Sequence, residues 1–561
     1  MSDMTENPPA TPDFPIIWAN AEDEARFWAY AGTNTPLPFA PLEQDVLGSF
    51  LVLGCDQAMI HFQAGRFHGR FFNGYSYAVM GDTPALSPAQ REAVKSEIIA
   101  PLIAQFAGAP CADAVAFQAW SEEQLAEVKQ QLAALAHYDL TQPLPKLLDD
   151  LDDALQRAVR VSELNVQLTF ILYTIMVEFE QFYQDLFGQN ALSLHQLLNK
   201  YETRLTKGNR RLWELSRRIQ SQPALSALFL KTAPTELLSR LKSTPEGRAI
   251  LDELQAYLAD HGRQSSSYIY LRFPYWAEDP TPVLLILQAK LAQSERDLAA
   301  ELRHKQQQQA TAVAAARQQL AAYPQPVIDQ FEALLDKAQK ATYMLDERIY
   351  WMELAPNYHV RQLALALGRA FQQAGCLEQA EDIFYLYLAE LRRLAAQPVS
   401  QTALIAERKA EMARFEQMSP PPFIGPFPTE MPPSNPVMDV MLTILLKPIP
   451  PNEDPMILVG HGASAGIVQG PVKVLRSERE VAKLQPGDIL VTNITTPAWM
   501  PIFANAAGII TDSGGMLSHP AIVAREMGIP AVVGTLRATA VLHDGQQVRL
   551  DGTTGQVRIL D

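Results

Sequence analysis

Cysteine and positive charge are both scarce in this chain. Its 561 residues include three cysteines, Cys55, Cys111 and Cys376, which lie far apart and form no metal-ligand spacing. So few thiols favour a reducing compartment, and we expect the cytoplasm. Lys and Arg number 46 against 62 Asp and Glu, which gives a net charge of -16. Nucleic acids and anionic membranes attract basic surfaces, so we expect neither as a partner.

Long apolar runs are also missing. No uninterrupted apolar stretch approaches the roughly 20 residues that a membrane-spanning helix needs, and residues 1–15 are polar and acidic, without a hydrophobic export core. The sequence contains no GxxxxGK[ST] phosphate-binding loop. A chain of this length with 48% hydrophobic residues is large enough for two to four domains with substantial cores.

The sequence predicts a multidomain protein with a mainly α-helical N-terminal domain, which includes a small β part, and a C-terminal α/β domain. Alternation from Met59 onward predicts a hairpin with a turn at Asn73-Gly74, and Ser121 with Glu123 predicts a helix start. Apolar residues recur at helical spacing in 89–107, 121–137, 144–187, 191–219 and 281–322. The predicted segments are a tail (1–15), the helical domain (16–417), a Pro-rich linker or hinge (418–456) and the α/β domain (457–561).

The most informative stretch reads TDSGGMLSHPAIVAREMGIPAVVGT, from Thr511 to Thr535. Pro520 suits the first turn of a helix that Gly528 ends, so His519 is predicted at a helix N-terminus. Unpaired N–H groups and the helix dipole favour an anion there, phosphate especially. A neutral imidazole in that place could attack a phosphoryl group, hold it and pass it on, although a lone histidine at a helix start is often structural.

Residues around His519 are candidates for binding the phosphoryl group. The glycine pair Gly514-Gly515 would let the backbone approach it closely, and the hydroxyls of Thr511 and Ser518 lie on either side of that pair in sequence. His461 and His543 lack such surroundings, and we interpret them as structural or solvated.

This stretch resembles the phosphohistidine swivelling domain of the enzymes that use phosphoenolpyruvate (PEP). The resemblance extends from ASAGIVQGPVKVL at Ala463, through GDILVTNITTPAWMPIF and GIPAVVGT, to DGTTGQVRI at Asp551. His519 falls on the histidine that is phosphorylated in the family. The pattern Leu517-Ser518-His519 is similar to the rifampin phosphotransferase and phenylphosphate synthase branches. The resemblance implies that 457–561 is a mobile phosphohistidine domain, which would swing on the linker between two sites.

Two earlier stretches resemble the acceptor-binding region of the same branches. One begins at His261 (HGRQSSSYIYLRFPYWAEDP) and the other at Asp346 (DERIYWMELAPNYHVRQLALALGRAFQQAG). Both depart from the family. Gly and His are exchanged in the first, and the second reads Glu347-Arg348-Ile349 where relatives often have Glu-Asp-His, so a family histidine is missing.

The resemblance implies catalytic candidates in these two stretches. Arg263, Arg348 and Arg361 could clamp a phosphoryl group or bind the acceptor. Glu347 or His261 could take the proton of an acceptor hydroxyl. For each residue alone, an ordinary structural ion pair is the alternative.

An aromatic helix is predicted from Val166 (VQLTFILYTIMVEFEQFYQDLF). Phe170 and Tyr173 could bind a flat apolar substrate, although an aromatic stripe at helical spacing more often packs in a core.

Nothing before residue 457 resembles the nucleotide-grasping half of a dikinase, and about 26 residues follow Thr535, so we expect no pyruvate-binding barrel. The resemblance therefore implies a hetero-oligomer in which a separate ATP-grasp subunit binds ATP and Mg²⁺ and phosphorylates His519, while this chain binds no cofactor or metal directly. The expected acceptor is a small aromatic hydroxyl compound, phenol or an alkylphenol, which would become an aryl phosphate. Alternatives are the same relay to pyruvate or to an antibiotic hydroxyl, or a regulatory phosphocarrier without catalytic activity.

Overall fold

A computed structural model describes most of the chain, and the chain forms two compact units. The described residues are 14–31, 35, 37–108, 110–111, 113–188, 196–265, 267, 269–292, 298–418, 420–428, 433, 435–445, 454–476, 480, 483–493, 495, 499, 503, 505–514, 520–521, 523–524 and 528–560. The first unit comprises Met1–Thr174, Ile269–Phe273 and Arg348–Met441, and the second comprises Ile175–Tyr268, Pro274–Glu347 and Leu442–Asp561. Each unit draws on several stretches of chain, and the domain boundaries expected from the sequence stay a prediction.

Helices dominate up to about residue 445. In chain order they are α1 (Ala21–Glu24), α2 (Pro41–Leu47), α3 (Gly54–His61), α4 (Pro88–Ala93), α5 (Ala100–Ala107), α6 (Ala114–Gln124), α7 (Ala126–Ala136), α8 (Leu144–Phe187), α9 (Arg204–Gln220), α10 (Pro223–Lys231), α11 (Pro234–Leu241), α12 (Pro245–His261), α13 (Thr281–Ala292), α14 (Leu298–Leu320), α15 (Gln325–Arg348), α16 (Ala355–Gln373), α17 (Leu388–Ala396), α18 (Thr402–Phe415), α19 (Pro436–Leu445) and α20 (Ala538–Val541). Gly48–Leu53, Val94–Ile99 and Ile349–Leu354 are π-helical, and Ala380–Tyr385 is a 3-10 helix.

The strands form two sheets within the described residues. They are β1 (Trp28–Tyr30), β2 (Arg66–Phe72), β3 (Tyr75–Gly81), β4 (Phe423–Ile424), β5 (Ile457–Val459), β6 (His461–Ser464), β7 (Ile467–Val474), β8 (Ile489–Thr492), β9 (Gly508–Thr511), β10 (Ala531–Val533), β11 (Gln547–Asp551) and β12 (Gln556–Ile559). The first sheet has the order β2-β3-β1-β4 and the second β5-β12-β11-β7-β8-β9-β10-β6. The predicted fold class, a mainly helical N-terminal part with a small sheet and a C-terminal α/β part, is confirmed.

Local sequence signals account for several of these elements. Asn73 and Gly74 have φ of 49° and 76°, which a two-residue hairpin turn requires, and the turn joins β2 to β3 as predicted. The helix predicted over 144–187 is α8. The predicted helix start at Ser121 is wrong, because α6 begins at Ala114. Asp113 caps it by accepting the N–H groups of Val115 and Ala116 at 2.9 Å.

A buried ion pair ties the segment Ile269–Phe273 into the first unit. The side chains of Arg272 and Glu43 are 8% and 0% exposed and contact each other. Glu43 also accepts the backbone N–H of Arg272 at 2.7 Å and that of Ala40 at 2.8 Å. The buried carboxylate is therefore satisfied by several donors, as a buried charge must be.

The C-terminal sheet lies between two apolar clusters in the second unit. Strands β7, β8, β9 and β10 are parallel, and antiparallel strands extend both ends. One cluster includes Leu490, Ile509 and Ala531, and the other includes Val491, Ile510 and Val532. Successive residues thus face opposite sides, and both sides are covered, as expected for parallel strands. Among the described residues, no helix combines the length and apolar character needed to cross a membrane.

Substitutions at two glycines of the first unit would measure how tightly the chain packs around them. A Cβ at Gly368, in α16, would lie 2.1 Å from the carbonyl oxygen of Ala380, whereas a Cβ at Gly48 would meet nothing within 4 Å. We expect Gly368→Ala to lower the free energy of unfolding by about 1–3 kcal/mol through overpacking. Gly48→Ala should raise it by roughly 0.5–1 kcal/mol because alanine favours the helix. Urea denaturation followed by circular dichroism checks both, and a Gly368→Ala protein as stable as the wild type would contradict this packing.

Candidate functional site

The first part of the candidate site is the edge of the C-terminal sheet where β8, β9 and β10 end. The three strands are parallel, so the segments that follow them emerge side by side. Backbone hydrogen bonds join these segments: the N–H of Asp512 donates to Thr492 O at 3.1 Å, and the N–H of Thr535 donates to Thr511 O at 3.0 Å. The carboxyl edge of parallel strands is the usual ligand-binding place in open α/β sheets.

Asp512 holds this edge together. Its Oδ1 accepts the backbone N–H of Thr539 at 2.9 Å and its Oδ2 accepts the Thr539 hydroxyl. The Thr511 hydroxyl donates to the carbonyl oxygen of Ser513 at 2.7 Å, and Thr511 is fully buried. The Thr511 hydroxyl thus stabilises the turn at Ser513. A contact between Thr511 and phosphate stays a prediction.

Gly514 is the last described residue before His519. Its φ is 111°, a conformation that favours glycine. A Cβ at Gly534 would lie 2.6 Å from Gly514 O, so the chain after β10 passes directly against the chain after β9. Gly515, Ser518 and His519 lie outside the described residues, and their roles stay predictions. Residues 520–521 and 523–524 are helical, consistent with a helix after His519.

The second part of the candidate site surrounds the N-terminus of α9 in the second unit. Glu347, 5% exposed, accepts the backbone N–H of Arg204 at 2.6 Å. Thr203 caps the same helix end, because its hydroxyl accepts the N–H of Thr206 at 3.3 Å. A carboxylate at this end is favoured by the helix dipole. Glu347 therefore stabilises the start of α9, a role that the sequence alone did not suggest.

His261 lies at the end of α12 against the face of α9. It is 3% exposed, and its ring stacks on that of Tyr257 with centroids 4.8 Å apart. A Cβ at Gly208 would lie 3.1 Å from His261 Nδ1, so glycine at this position lets the imidazole approach α9. Among the described residues, the buried Nδ1 has no hydrogen-bond partner.

The surroundings of His261 keep its imidazole neutral. Burial, the largest cause, and the positive charges of Arg204 and Arg211 together lower the pKa of His261 from 6.5 to about 4, against the opposite effect of Asp260. Arg211 also donates to Asp260 at 2.6 Å. A neutral imidazole has one ring nitrogen with a lone pair, which can accept a hydrogen bond from a hydroxyl group over the whole physiological pH range.

The two parts of the site meet in the second unit through Leu205. Its side chain packs against the apolar cluster of the C-terminal domain that includes Leu490, Ile509 and Ala531. Leu205 follows Arg204 directly, so α9 contacts the C-terminal domain at the helix end that carries Glu347. The structure thus brings the predicted residues His261 and Glu347 to a helix that touches the predicted phosphohistidine domain.

Arg263 lies in the turn that follows α12, in the same unit. Two backbone hydrogen bonds of 2.9 Å fix that turn, one on either side of Arg263. The N–H of Ala277 donates to Gly262 O, and the N–H of Trp276 donates to Gln264 O. Arg263 is half-buried, and its predicted contact with a phosphoryl group stays a prediction.

Other predicted residues belong to the first unit. Arg348 donates to Glu353 at 2.6 Å and to Asn165 at 3.2 Å. Arg361, 3% exposed, donates to Leu271 O and lies over the Phe384 ring at 5.3 Å. Both arginines thus have structural contacts, and their predicted catalytic and substrate-binding roles stay predictions.

The two aromatic candidates lie on the part of α8 that belongs to the first unit. Phe170, 5% exposed, packs edge-on against Phe62 with ring centroids 5.4 Å apart. Tyr173 is half-buried. Phe170 therefore packs in the core, which was the alternative to substrate binding for this aromatic helix. Substrate binding by Phe170 or Tyr173 stays a prediction.

Sequence reasoning missed the residues of α9 that surround His261. Arg204, Gly208 and Arg211 have the spacing i, i+4 and i+7, so they share one helix face. That spacing was visible in the sequence, but nothing in the sequence indicated that this face meets His261.

Comparisons with known proteins agree with this arrangement. The family model described as "PEP-utilising enzyme, mobile domain" matches residues 484–555. The family model described as "Rifampicin phosphotransferase fourth domain" matches residues 167–347. Chondramide synthase from Chondromyces crocatus is 34% identical over 98% of this chain, which corresponds to 14% of that protein. The uncharacterised phosphotransferase YvkC of Bacillus subtilis is 28% identical over 67% of this chain and 45% of that protein.

Rifampicin phosphotransferase of Streptomyces sviceus is 29% identical over 61% of this chain and 38% of that protein. The chain therefore spans less than half the length of these curated relatives. The fourth-domain match covers α9, His261 and Glu347, and the mobile-domain match covers the carboxyl edge of β8, β9 and β10. The chain is therefore similar to rifampicin phosphotransferase over residues 167–347 and to the mobile domain of PEP-utilising enzymes over residues 484–555, in this order along the sequence.

Proposed function

We propose that this chain is the phosphoryl-carrying and acceptor-binding component of a phosphotransferase. His519 receives a phosphoryl group derived from ATP and passes it to the hydroxyl of a small aromatic molecule. In the transfer, the P–N bond to His519 breaks, a P–O bond to the acceptor forms, and the hydroxyl proton passes to a base of the chain. The products are an aryl phosphate and unmodified His519.

One observation supports this proposal most strongly: α9 carries acceptor-side residues and also packs on the C-terminal domain. Leu205 contacts the apolar cluster of that domain, while the neighbouring Arg204 is bonded to Glu347 through its backbone N–H. Phosphoryl transfer needs the carrier and the acceptor base within a few ångströms of each other. A packed contact at this helix end is a suitable starting point for that approach.

His261 suits the role of acceptor base better than Glu347 does. The Glu347 carboxylate is engaged by the backbone N–H of Arg204 at 2.6 Å, and taking up a proton would weaken that bond. His261 is neutral at physiological pH because burial lowers its pKa to about 4. Its buried Nδ1 has no hydrogen-bond partner among the described residues, so proton uptake there disrupts no existing bond.

The phosphoryl donor in this proposal is a separate ATP-grasp subunit that holds ATP and Mg²⁺. The chain itself contains no GxxxxGK[ST] loop, and its two matched regions are the fourth domain of rifampicin phosphotransferase and the mobile domain of PEP-utilising enzymes. A carrier of this kind must reach two places, and the Pro-rich stretch at 418–456 is a suitable hinge.

Phenol or an alkylphenol is the first candidate acceptor, and a biosynthetic intermediate is the second. The second is favoured by the alignment of 98% of the chain with part of a protein named chondramide synthase. A prodigiosin synthesizing transferase from Serratia marcescens is also 28% identical over 61% of the chain. A panel of phenol, pyruvate, rifampin and aromatic biosynthetic precursors, assayed as phosphoryl acceptors, separates these candidates.

The phosphohistidine can be tested without the donor subunit. Phosphoramidate phosphorylates histidine chemically, and phenyl phosphate should load His519 by the reverse of the proposed reaction. We expect both reagents to add one phosphoryl group to the wild type, stable in alkali and visible by intact-mass spectrometry. His519→Ala should lose this addition, and His543→Ala, which changes another histidine of the same domain, should keep it.

The two reagents separate two kinds of failure. Loading of the His519→Ala protein to the wild-type level would refute the phosphohistidine. Loading of the wild type by phosphoramidate but not by phenyl phosphate would leave the carrier intact and exclude phenol as the acceptor. If no member of the acceptor panel discharged the loaded protein, the regulatory phosphocarrier would be favoured.

The role of His261 predicts a pH dependence. His261→Asn should reduce transfer from the loaded protein to its acceptor by about 10²–10⁴-fold, the usual contribution of a general base. Removal of a positive charge by Arg204→Gln should raise the pKa of His261, so more of it is protonated in mild acid. The ratio of Arg204→Gln to wild-type activity should therefore fall a few-fold from about pH 7 to about pH 5.

Arg218→Gln is the matched control for this experiment, because Arg218 lies on the same helix but pairs with Glu253. Its activity ratio should not change with pH. The sign for stability follows from the same shift: the folded pKa of His261 lies below 6.5, so stability is lost as pH falls from about 6.5 to about 4. An Arg204→Gln ratio that stays constant with pH would contradict the assignment of His261 as base.

A further inference from the structure

Tyr257 lies one helical turn before His261 on α12, and its ring covers one face of the imidazole. The two ring centroids are 4.8 Å apart, and the ring planes are inclined by 20°. Residues four apart in a helix lie on the same face, so α12 itself brings the two rings together. A nearly parallel ring at this distance excludes water from the face that it covers and restricts rotation of the imidazole.

The ring of Tyr257 is anchored in the apolar core of the second unit. Tyr257 is 4% exposed and belongs to a buried cluster that also includes Leu212 and Leu215 of α9. Leu254, on α12 itself, is another member of this cluster. Protein cores are close-packed, so a ring held in one has little freedom to move. Tyr257 therefore ties the imidazole stacked on it to the core.

The backbone of α9 limits one edge of the imidazole. A Cβ at Gly208 would lie 3.1 Å from both Nδ1 and Cε1 of His261, and 3.5 Å from the Tyr257 hydroxyl. The first two distances are shorter than an optimal van der Waals contact, so glycine is what allows both rings to approach α9. With Tyr257 on one face and α9 along one edge, two independent contacts set the orientation of the imidazole.

The charged groups that influence His261 come from both helices that enclose it. Burial is the largest cause of its low pKa, and the Tyr257 ring supplies part of that burial. Arg204 and Arg211 of α9 also lower the pKa, whereas Asp260 of α12 raises it. Arg211 donates to Asp260 at 2.6 Å. The Arg211 guanidinium also lies over the Tyr257 ring, 5.7 Å from its centroid.

We propose that Tyr257 is a positioning residue for His261, whose ring holds the imidazole in one orientation and shields one of its faces from water. This inference rests on the proposed function, in which His261 is the acceptor base. A general base must meet the acceptor hydroxyl at hydrogen-bond distance and along the lone pair of its ring nitrogen. A fixed ring plane reduces the entropy lost when this geometry forms. Tyr257 itself takes no part in proton transfer.

The stack links the orientation of His261 to its protonation state. Loss of the Tyr257 ring would free the imidazole to rotate and let water reach the uncovered face. Water stabilises the charged form, so the pKa of His261 would rise from about 4 toward 6.5. More of the imidazole would then be protonated in mild acid, and transfer would fall as the pH is lowered. At about pH 8 the imidazole stays neutral in either case, so a deficit that remains there measures the lost orientation.

The test compares Tyr257→Leu with Tyr257→Phe in the whole chain. The first readout is the pKa of His261, measured by nuclear magnetic resonance of histidine-labelled protein, which needs no acceptor or partner. The His261 resonance is identified by its absence from the His261→Asn spectrum. We expect Tyr257→Leu to raise this pKa, and to slow transfer from the phosphoramidate-loaded protein about tenfold at about pH 8, because a misplaced catalytic group is costly. Tyr257→Phe keeps the ring and should match the wild type in both.

Phe229→Leu is the matched control, because Phe229 belongs to the same apolar cluster as Tyr257 but lies on α10. It removes an aromatic ring from that cluster and should leave the pKa of His261 and the transfer rate unchanged. Thermal melting identifies any variant that fails to fold, and Tyr257→Met, which keeps more of the side-chain volume, replaces Tyr257→Leu in that case.

An unchanged pKa of His261 in Tyr257→Leu would overturn the inference. So would an equal effect of Tyr257→Phe, because the hydroxyl, and not the ring, would then matter, or an equal effect of Phe229→Leu, because any loss from the core would then suffice. If His261→Asn transferred at the wild-type rate, His261 would not be the base and that part of the proposed function would fail. The pKa comparison would still show whether Tyr257 shields the imidazole.

Discussion

The functional part of this protein depends on the close approach of two chain segments at the end of a parallel sheet. Because β8, β9 and β10 run in the same direction, their following segments leave from one edge, and each must be held in place by its neighbours. The approach of Gly534 to the carbonyl of Gly514 and the hydrogen bonds of Asp512 to Thr539 supply that hold. Both contacts are made by groups other than the predicted phosphohistidine.

The acceptor side is built on a different constraint, the unsatisfied N-terminus of a helix. The first N–H groups of α9 need acceptors, and Glu347 and Thr203 provide them. That fixes the end of α9 beside α15 and presents Arg204, Gly208 and Arg211 to His261. Replacing Glu347 would therefore disturb His261 indirectly, so loss of activity in a Glu347 variant alone would not identify Glu347 as a base.

Single turns and helices were predictable from the sequence because the residues that determine them are close together in the chain. The Asn73-Gly74 turn requires two residues with positive φ, and α8 has apolar spacing along its whole length. The start of α6 was misplaced because Ser121 and Asp113 are both acceptable caps, and only the hydrogen bonds distinguish them. Packing partners were not predictable. The sequence indicated His261 and Glu347 as candidates, but not that the N–H of Arg204 donates to Glu347 while its charge lowers the pKa of His261.

The environment of His261 explains how one chain could separate phosphoryl carriage from proton transfer. A base for an acceptor hydroxyl must be neutral, and burial beside two arginines keeps His261 neutral well below pH 7. Pushing the pKa values of similar groups apart by environment is a general way to assign them different roles. Exposing His261 to water would raise its pKa toward the ordinary value of 6.5, so part of it would be protonated in mild acid and could no longer accept a proton.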